Sequence, residues 1–223
     1  MIRLDKVVKS YKIDEETTFY ALKESTLEIK DKEFVSIIGP SGSGKSTLMH
    51  LIGLLDKPTK GEIYIQDKKI SYLNDDQISS LRNEFIGFVF QQFNLIPKLT
   101  VLENILLPSF YTRKKLTYDP YEKALSLIKK FGLEDKKNSY PNKISGGQQQ
   151  RVAILRALIM EPKMILADEP TGNLDSKTGG EIMKLLKTLN EEEEITIAIV
   201  THESNIAKYG KRIIRVKDGR VIK

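Results

Sequence analysis

The segment Gly39-Pro40-Ser41-Gly42-Ser43-Gly44-Lys45-Ser46 is the most informative part of this chain. It follows the apolar run 34–38 and leads into Thr47-Leu48-Met49, which predicts a strand, a glycine-rich turn and a helix. The glycines let backbone N–H groups curl around a polyphosphate, and the helix N-terminus adds partial positive charge. Lys45 can reach β- and γ-phosphate oxygens, and the Ser46 hydroxyl can bind Mg²⁺. We therefore predict a nucleoside triphosphate site formed by residues 39–47, called the phosphate loop below.

Composition limits the other possibilities. With 223 residues, 40% of them hydrophobic, the chain can build a single α/β domain over residues 1–223, with a small inserted subdomain. The net charge of +6 comes from 36 basic and 30 acidic side chains spread along the chain, which is typical of a solvated surface, so we expect no nucleic-acid partner. There is no cysteine and no apolar run of about 20 residues, which predicts a cytosolic chain that does not itself span a membrane.

The patterning predicts three parts. Alternating strands in the N-terminal third indicate an antiparallel β subdomain, and alternating strands and helices in about 1–90 and 160–223 indicate a P-loop NTPase core with a mostly parallel sheet. The segment of about 91–159 lacks core strands and is predicted to be an inserted α-helical subdomain, with loops at Pro108, Pro120 and Pro141.

A second signal lies at the end of a predicted strand. Met164-Ile165-Leu166-Ala167 is apolar and is followed by Asp168 and Glu169. Ligands bind at the carboxyl edge of a parallel sheet, so both acids are expected near the phosphates. Successive strand side chains diverge, which allows Asp168 to hold Mg²⁺ while Glu169 orients and deprotonates the attacking water. The pair favours hydrolysis over simple nucleotide storage.

A third signal is a second helix start. Ser145-Gly146-Gly147-Gln148 immediately precedes the helix-like run 149–158. By itself it is a serine N-cap followed by flexible glycines, but a helix N-terminus with exposed N–H groups is also an anion site.

Ile144-Ser145-Gly146-Gly147-Gln148 resembles the signature motif of ABC-type ATPases, and the motifs lie in the order typical of that family along essentially the whole chain. The resemblance implies the cofactors ATP and Mg²⁺, and a homodimer in which two copies pack head to tail. Ser145, Gly146, Gly147 and Gln148, the signature segment, would then contact the γ-phosphate bound by the partner copy.

The resemblance also assigns roles to single residues. Gln91 resembles the residue that contacts Mg²⁺ and water and couples the helical subdomain to a membrane partner, with Gln92 as the rival. Asp175 resembles the residue of the loop that crosses the dimer interface, although an N-cap role is expected as well. His202 resembles the histidine that senses the γ-phosphate. Tyr11 resembles the aromatic residue that stacks on adenine, with Tyr20 as the rival.

The stretches 88–97 and 168–179 resemble the macrolide-export, lipoprotein-release and cell-division branch of the family. This likeness implies a transport-coupled ATPase bound to a separate membrane permease, peripheral on the inner face of the cell membrane. The alternative within the branch is a signalling module of the cell-division type that transports nothing. A small-molecule kinase is a third hypothesis, which the signature segment argues against.

Overall fold

Ten strands and seven helices occur in residues 1–222, which the computed structural model describes. The strands are β1 Ile2–Lys12, β2 Thr18–Ile29, β3 Phe34–Ile38, β4 Lys60–Ile65, β5 Lys68–Lys69, β6 Ile86–Phe90, β7 Met164–Asp168, β8 Thr196–Val200, β9 Arg212–Lys217 and β10 Arg220–Ile222. The helices are α1 Lys45–Ile52, α2 Asp75–Phe85, α3 Val101–Phe110, α4 Pro120–Lys130, α5 Gly146–Leu158, α6 Ser176–Glu191 and α7 Ser204–Ala207.

Two sheets are formed from these strands. The first has the order β2-β1-β4-β5 and is antiparallel, and the second has the order β10-β9-β3-β8-β7-β6. In the second sheet only β10 runs antiparallel to its neighbour among the described strands. The predicted mostly parallel sheet and antiparallel β subdomain are confirmed.

The predicted loops at two prolines are wrong. Pro108 lies inside α3, two residues before its end, and Pro120 is the first residue of α4. A proline at the first helical position loses no intrahelical hydrogen bond because that N–H has no partner within the helix. Asp119 caps the same helix by accepting from the Tyr121 N–H at 2.8 Å. Pro141 opens a single turn of 3₁₀-helix, Pro141–Lys143.

Two hydrophobic clusters cover the two faces of the parallel sheet. Successive side chains of β7 belong to different clusters. Ile165 lies in the cluster with α3 to α6, and Leu166 lies in the cluster with α1 and the antiparallel sheet. A strand with both faces covered is largely apolar, which explains why polar side chains are rare in β3, β7 and β8. None of the described helices is both long enough and apolar enough to cross a bilayer.

The strand register places the site. Asp168 pairs with Val200 on one side and with Phe90 on the other, and Ile37 also pairs with Val200. The carboxyl ends of β3, β6, β7 and β8 therefore lie at one edge of the sheet. The segments that follow these strands, which begin near residues 39, 91, 169 and 201, are brought together at that edge.

Candidate active site

The phosphate loop ends in a helix start without a side-chain cap. The N-cap of α1 is Gly44 with φ 102°, and no side chain of the described residues accepts a hydrogen bond from the first turn. A Cβ at this position would collide with the backbone carbonyl oxygen of Ala21, so the site needs glycine on both grounds. The first N–H groups of a helix have no partner within the helix. They are left for an anion here.

An open cavity of about 990 Å³ brings most of the predicted residues together. Its lining includes residues 39–42 and 44–47, Gln91, Asp168, Glu169 and His202. Ser43 is buried instead, with 3% of its surface exposed. The Lys45 Nζ donates hydrogen bonds to the carbonyl oxygens of Gly39 at 2.8 Å and Pro40 at 2.9 Å, so the cation lies against its own loop.

Asp168 is the last residue of β7 and lines this cavity. Burial raises the pKa of its carboxyl group, and the neighbouring Glu169 raises it further, while His50 and Lys45 act in the opposite direction. A cation bound beside Asp168 would favour the ionised carboxylate and so oppose both of these effects. The carboxylate and the Ser46 hydroxyl are oxygen ligands of the kind that Mg²⁺ takes, and they would hold it together with oxygens of a bound phosphate. No group of three or more acidic, histidine or cysteine side chains within residues 1–222 forms a metal site of protein ligands alone.

Glu169 is fixed by two residues that follow β8. Its Oε2 accepts from the Thr201 hydroxyl at 3.1 Å, and its Oε1 accepts from the His202 backbone N–H at 3.1 Å. The His202 Nδ1 lies 2.7 Å from the same Oε1, and this contact raises the pKa of the His202 imidazole. Thr201 is fully buried, and sequence reasoning missed it. The sequence signal that could have identified Thr201 as a site residue is its position next to His202.

Gln91 connects the loop after β6 to the loop after β7. Its Nε2 donates to the Asn173 Oδ1 at 3.3 Å, and the Asn173 Nδ2 donates to the Gln91 carbonyl oxygen at 2.9 Å. The rival Gln92 is not in the cavity lining of the described chain. Arg156 of α5 holds the next two residues, since its guanidinium donates to the carbonyl oxygens of Phe93 at 2.8 Å and Asn94 at 2.5 Å.

The signature segment begins α5 away from this cavity. Ser145 and Gln148 form a capping box, in which the Ser145 Oγ accepts from the Gln148 N–H at 3.3 Å and the Gln148 Oε1 accepts from the Ser145 N–H at 3.0 Å. Within the described chain, no residue of 145–148 lines the cavity. Asp175 caps α6 by accepting from the N–H groups of Lys177 at 3.1 Å and Thr178 at 3.0 Å. The predicted contacts of 145–148 and Asp175 with a partner's nucleotide stay predictions.

The adenine-stacking residue also stays a prediction. The Tyr11 hydroxyl donates to the Asp56 Oδ2 at 3.1 Å, and its ring lies 5.0 Å from the Lys9 Nζ. Across the β1–β2 pair Tyr11 lies opposite Phe19, and Phe19 lines the cavity. Sequence reasoning missed Phe19, whose only signal was its place beside Tyr20.

Sequence comparison agrees with this geometry. The family model described as ABC transporter matches residues 22–172, which is more than half of the chain. The chain belongs to the ABC transporter family. An ABC transporter ATP-binding protein of Methanocaldococcus jannaschii, MJ0796, is 56% identical over 224 residues, which cover 99% of this chain and 95% of the relative. This chain is therefore an ABC transporter ATP-binding domain, as its motifs predict.

Two further comparisons bear on assembly. A solved dimeric structure of the MJ0796 cassette, described as a post-hydrolysis state bound to ADP and Pi, superposes on this ABC domain with a TM-score of 0.89 and 54% identity, covering 100% of this chain and 97% of the other. A macrolide export ATP-binding/permease protein, MacB of Bdellovibrio bacteriovorus, is 46% identical over 98% of this chain. The match covers 33% of the MacB length.

Proposed function

We propose that this ABC domain hydrolyses ATP, with Mg²⁺, as a head-to-tail homodimer that drives export or release of a substrate through a separate membrane permease. The observation that carries the proposal is the position of Glu169, whose two carboxylate oxygens are fixed by Thr201 and His202 beside the phosphate loop. A carboxylate held in this way at the phosphate-binding edge is suited to act as a general base.

The predicted catalytic and metal-binding residues of the cavity each have a part in the reaction. Lys45 leaves the carbonyl oxygens of its own loop and binds β- and γ-phosphate oxygens, and the uncapped start of α1 supplies N–H donors. Mg²⁺, held by Ser46, Asp168 and Gln91, would neutralise developing phosphate charge. Glu169 accepts the proton of the attacking water, and the His202 ring, whose Nδ1 lies 2.7 Å from the Glu169 Oε1, orients that carboxylate.

The proposal of a homodimer is supported by the distance of the signature segment from the cavity of its own chain. The signature segment has helix N–H groups and a serine hydroxyl but does not reach the cavity of its own chain. The dimeric MJ0796 structure, at 54% identity, supports a second copy as the element that completes the site. We infer that residues 145–148 of each copy close on the phosphates held by the other.

The proposal of a permease partner is supported by a second cavity, of about 630 Å³, which lies between α2, β6, α3 and α5. Apolar side chains including Phe88, Phe90 and Tyr111 line it together with Arg82, Arg113 and Arg156, and no acidic side chain of the described chain does. Tyr111 is 75% exposed. We infer that a permease segment with apolar and acidic side chains occupies this groove, which would place the chain on the inner face of the membrane. MacB, an ATP-binding/permease protein, supports such a partnership.

Phosphate release from ATP, measured without any acceptor, tests the proposal. In the Glu169→Gln variant we expect release to fall by about three orders of magnitude, because loss of a general base has effects of 10²–10⁴, while ATP binding persists. Light scattering should then show a dimer with saturating MgATP. A strict requirement for a hydroxyl acceptor would indicate a kinase, and a Glu169→Gln protein that stays monomeric would contradict the dimeric site.

A further inference from the structure

Helix α5 carries a completely buried amide that the site described so far does not use. Gln150 has 0% of its surface exposed, and its Nε2 donates to the carbonyl oxygen of Pro170 at 2.7 Å. Its Oε1 has no hydrogen-bond partner among the described residues. Burying an amide costs free energy, and the single hydrogen bond of Gln150 offsets only part of that cost.

The bond reaches the residue directly after the general base. Glu169 has φ 45°, in the left-handed region that is unfavourable for residues other than glycine. Its backbone N–H donates to Val200 O at 2.9 Å, and its carbonyl oxygen accepts from the Gly172 N–H at 3.0 Å. Gln150 adds a third hydrogen bond to this turn, and it comes from the helical subdomain. The conformation that aims the Glu169 carboxylate therefore depends in part on α5.

The same helix begins with the signature segment. Along its face toward α6, Gly147 is so close to the Thr178 methyl that a Cβ would collide with it. One turn later Arg151 forms an ion pair with Glu181 at 3.0 Å. Residues three and four apart lie on one helix face, so Gly147, Gln150 and Arg151 contact the segment 170–181 together. If the start of α5 moves, the helix moves as a rigid body, and the hydrogen bond of Gln150 transmits the movement to Pro170.

We propose that Gln150 is a positioning residue for Glu169, which links contact of the signature segment with the partner's nucleotide to the general base of its own chain. This inference rests on the proposed function, because the signature segment acts on a partner only in the homodimer. Gln150 contacts neither nucleotide nor water in this scheme. It acts through the Pro170 carbonyl oxygen and the Glu169 backbone.

The first test replaces the amide with an apolar side chain of similar length, Gln150→Met. Losing a hydrogen bond of this kind corresponds to about a 10- to 100-fold lower kcat. The KM for ATP should stay within about twofold, since the phosphate loop is untouched. Gln149→Met is the matched control, because within residues 1–222 the Gln149 amide bonds only to Ile144 O, at 3.3 Å, near its own helix start. Wild-type kcat in Gln150→Met would overturn the proposal.

The second test uses Gln150→Glu, which keeps the shape and makes the donor depend on pH. A carboxylate cannot donate to Pro170 O, whereas a protonated carboxyl group can, and burial raises the pKa of such a group. The kcat of Gln150→Glu relative to wild type should rise about 10-fold as the pH falls from about 8 to about 6, and the ratio for Gln150→Met should stay flat. A flat ratio for Gln150→Glu would contradict positioning through this bond, even if Gln150→Met proved unfolded.

The link to the signature segment is tested by combining Ser145→Ala with Gln150→Met. If both act on Glu169 along one route, the double variant should lose less kcat than the product of the two single losses. Independent, multiplicative losses would overturn the link. All these rates are measured relative to the wild-type protein, which must itself release phosphate from ATP. A wild-type protein without ATPase activity would contradict the proposed function and not the role of Gln150.

Discussion

The two helix starts that the proposed reaction uses are built in opposite ways. Helix α1 begins at Gly44, which has a left-handed backbone and offers no side-chain cap. Helix α5 begins at Ser145, whose side chain and that of Gln148 cap each other's backbone N–H groups. The uncapped start lies in the cavity of its own chain, and the capped start does not.

The two helix starts have different requirements for a ligand. The phosphate loop leaves N–H groups unpaired, an arrangement that becomes favourable when an anion accepts from them. The signature segment satisfies part of its own hydrogen bonding and is stable as a helix start without a ligand. Nucleotide binding should therefore depend on α1 in a single copy, and hydrolysis should depend on both starts.

The largest expected effect comes from the α1 side. Lys45→Ala removes the cation that would bind β- and γ-phosphates, and losing two charge-assisted hydrogen bonds weakens ATP binding by about 100-fold or more. Isothermal titration of the nucleotide measures this change. Lys98→Ala, at an exposed lysine outside the cavity, is the control and should bind normally. Unchanged affinity in Lys45→Ala would refute the contrast between the two helix starts.

A smaller effect is expected on the α5 side from Ser145→Ala. Loss of an N-cap lowers the free energy of unfolding by about 1 kcal/mol, and hydrolysis should fall about 10- to 100-fold with nucleotide affinity of the single copy unchanged. Thr100→Ala is a matched control, because Thr100 and Glu103 form the same capping box at α3. Thr100→Ala should lose similar stability and keep its kcat. Equal kcat losses in both variants would show that Ser145 serves only as a cap.

The smallest expected effect concerns the protonation of His202, which lines the cavity of the phosphate loop. The hydrogen bond to Glu169, and then its charge, raise the pKa of His202, so the protonated ring is favoured in the folded protein. This interaction is present in full below the ordinary histidine pKa of 6.5 and is lost as the pH rises through the raised value. The ring is exposed, so its effect on stability should be small.

NMR titration of the His202 ring measures this pKa directly. In the single copy it should lie above 6.5, and Glu169→Gln should lower it. If the pKa of His202 does not respond to Glu169→Gln, the 2.7 Å contact between the two side chains is absent in solution. The residues around the phosphate loop would then not be assembled within one chain.

Much of the fold was predictable because its signals are local. The apolar runs of β3 and β7, the glycines before Lys45 and the acids after Ala167 each lie within a few residues of one another. The proline at 108 misled the prediction because proline usually ends a helix, yet here it lies where α3 is about to end. Gln91 was preferred to Gln92 because it directly follows its strand, and the cavity lining includes it.

The phosphate loop, the acid pair, the signature segment and the alternation that produces a mostly parallel sheet were all predictable from local patterns in the sequence. The folded chain was needed to show that Thr201 and His202 hold Glu169, that Phe19 lines the cavity and that Gln150 bonds to Pro170. These partners lie far apart along the chain. Hydrogen-bond donors and acceptors 20 to 33 residues apart are brought together by strand order and helix packing, which spacing in a sequence does not encode.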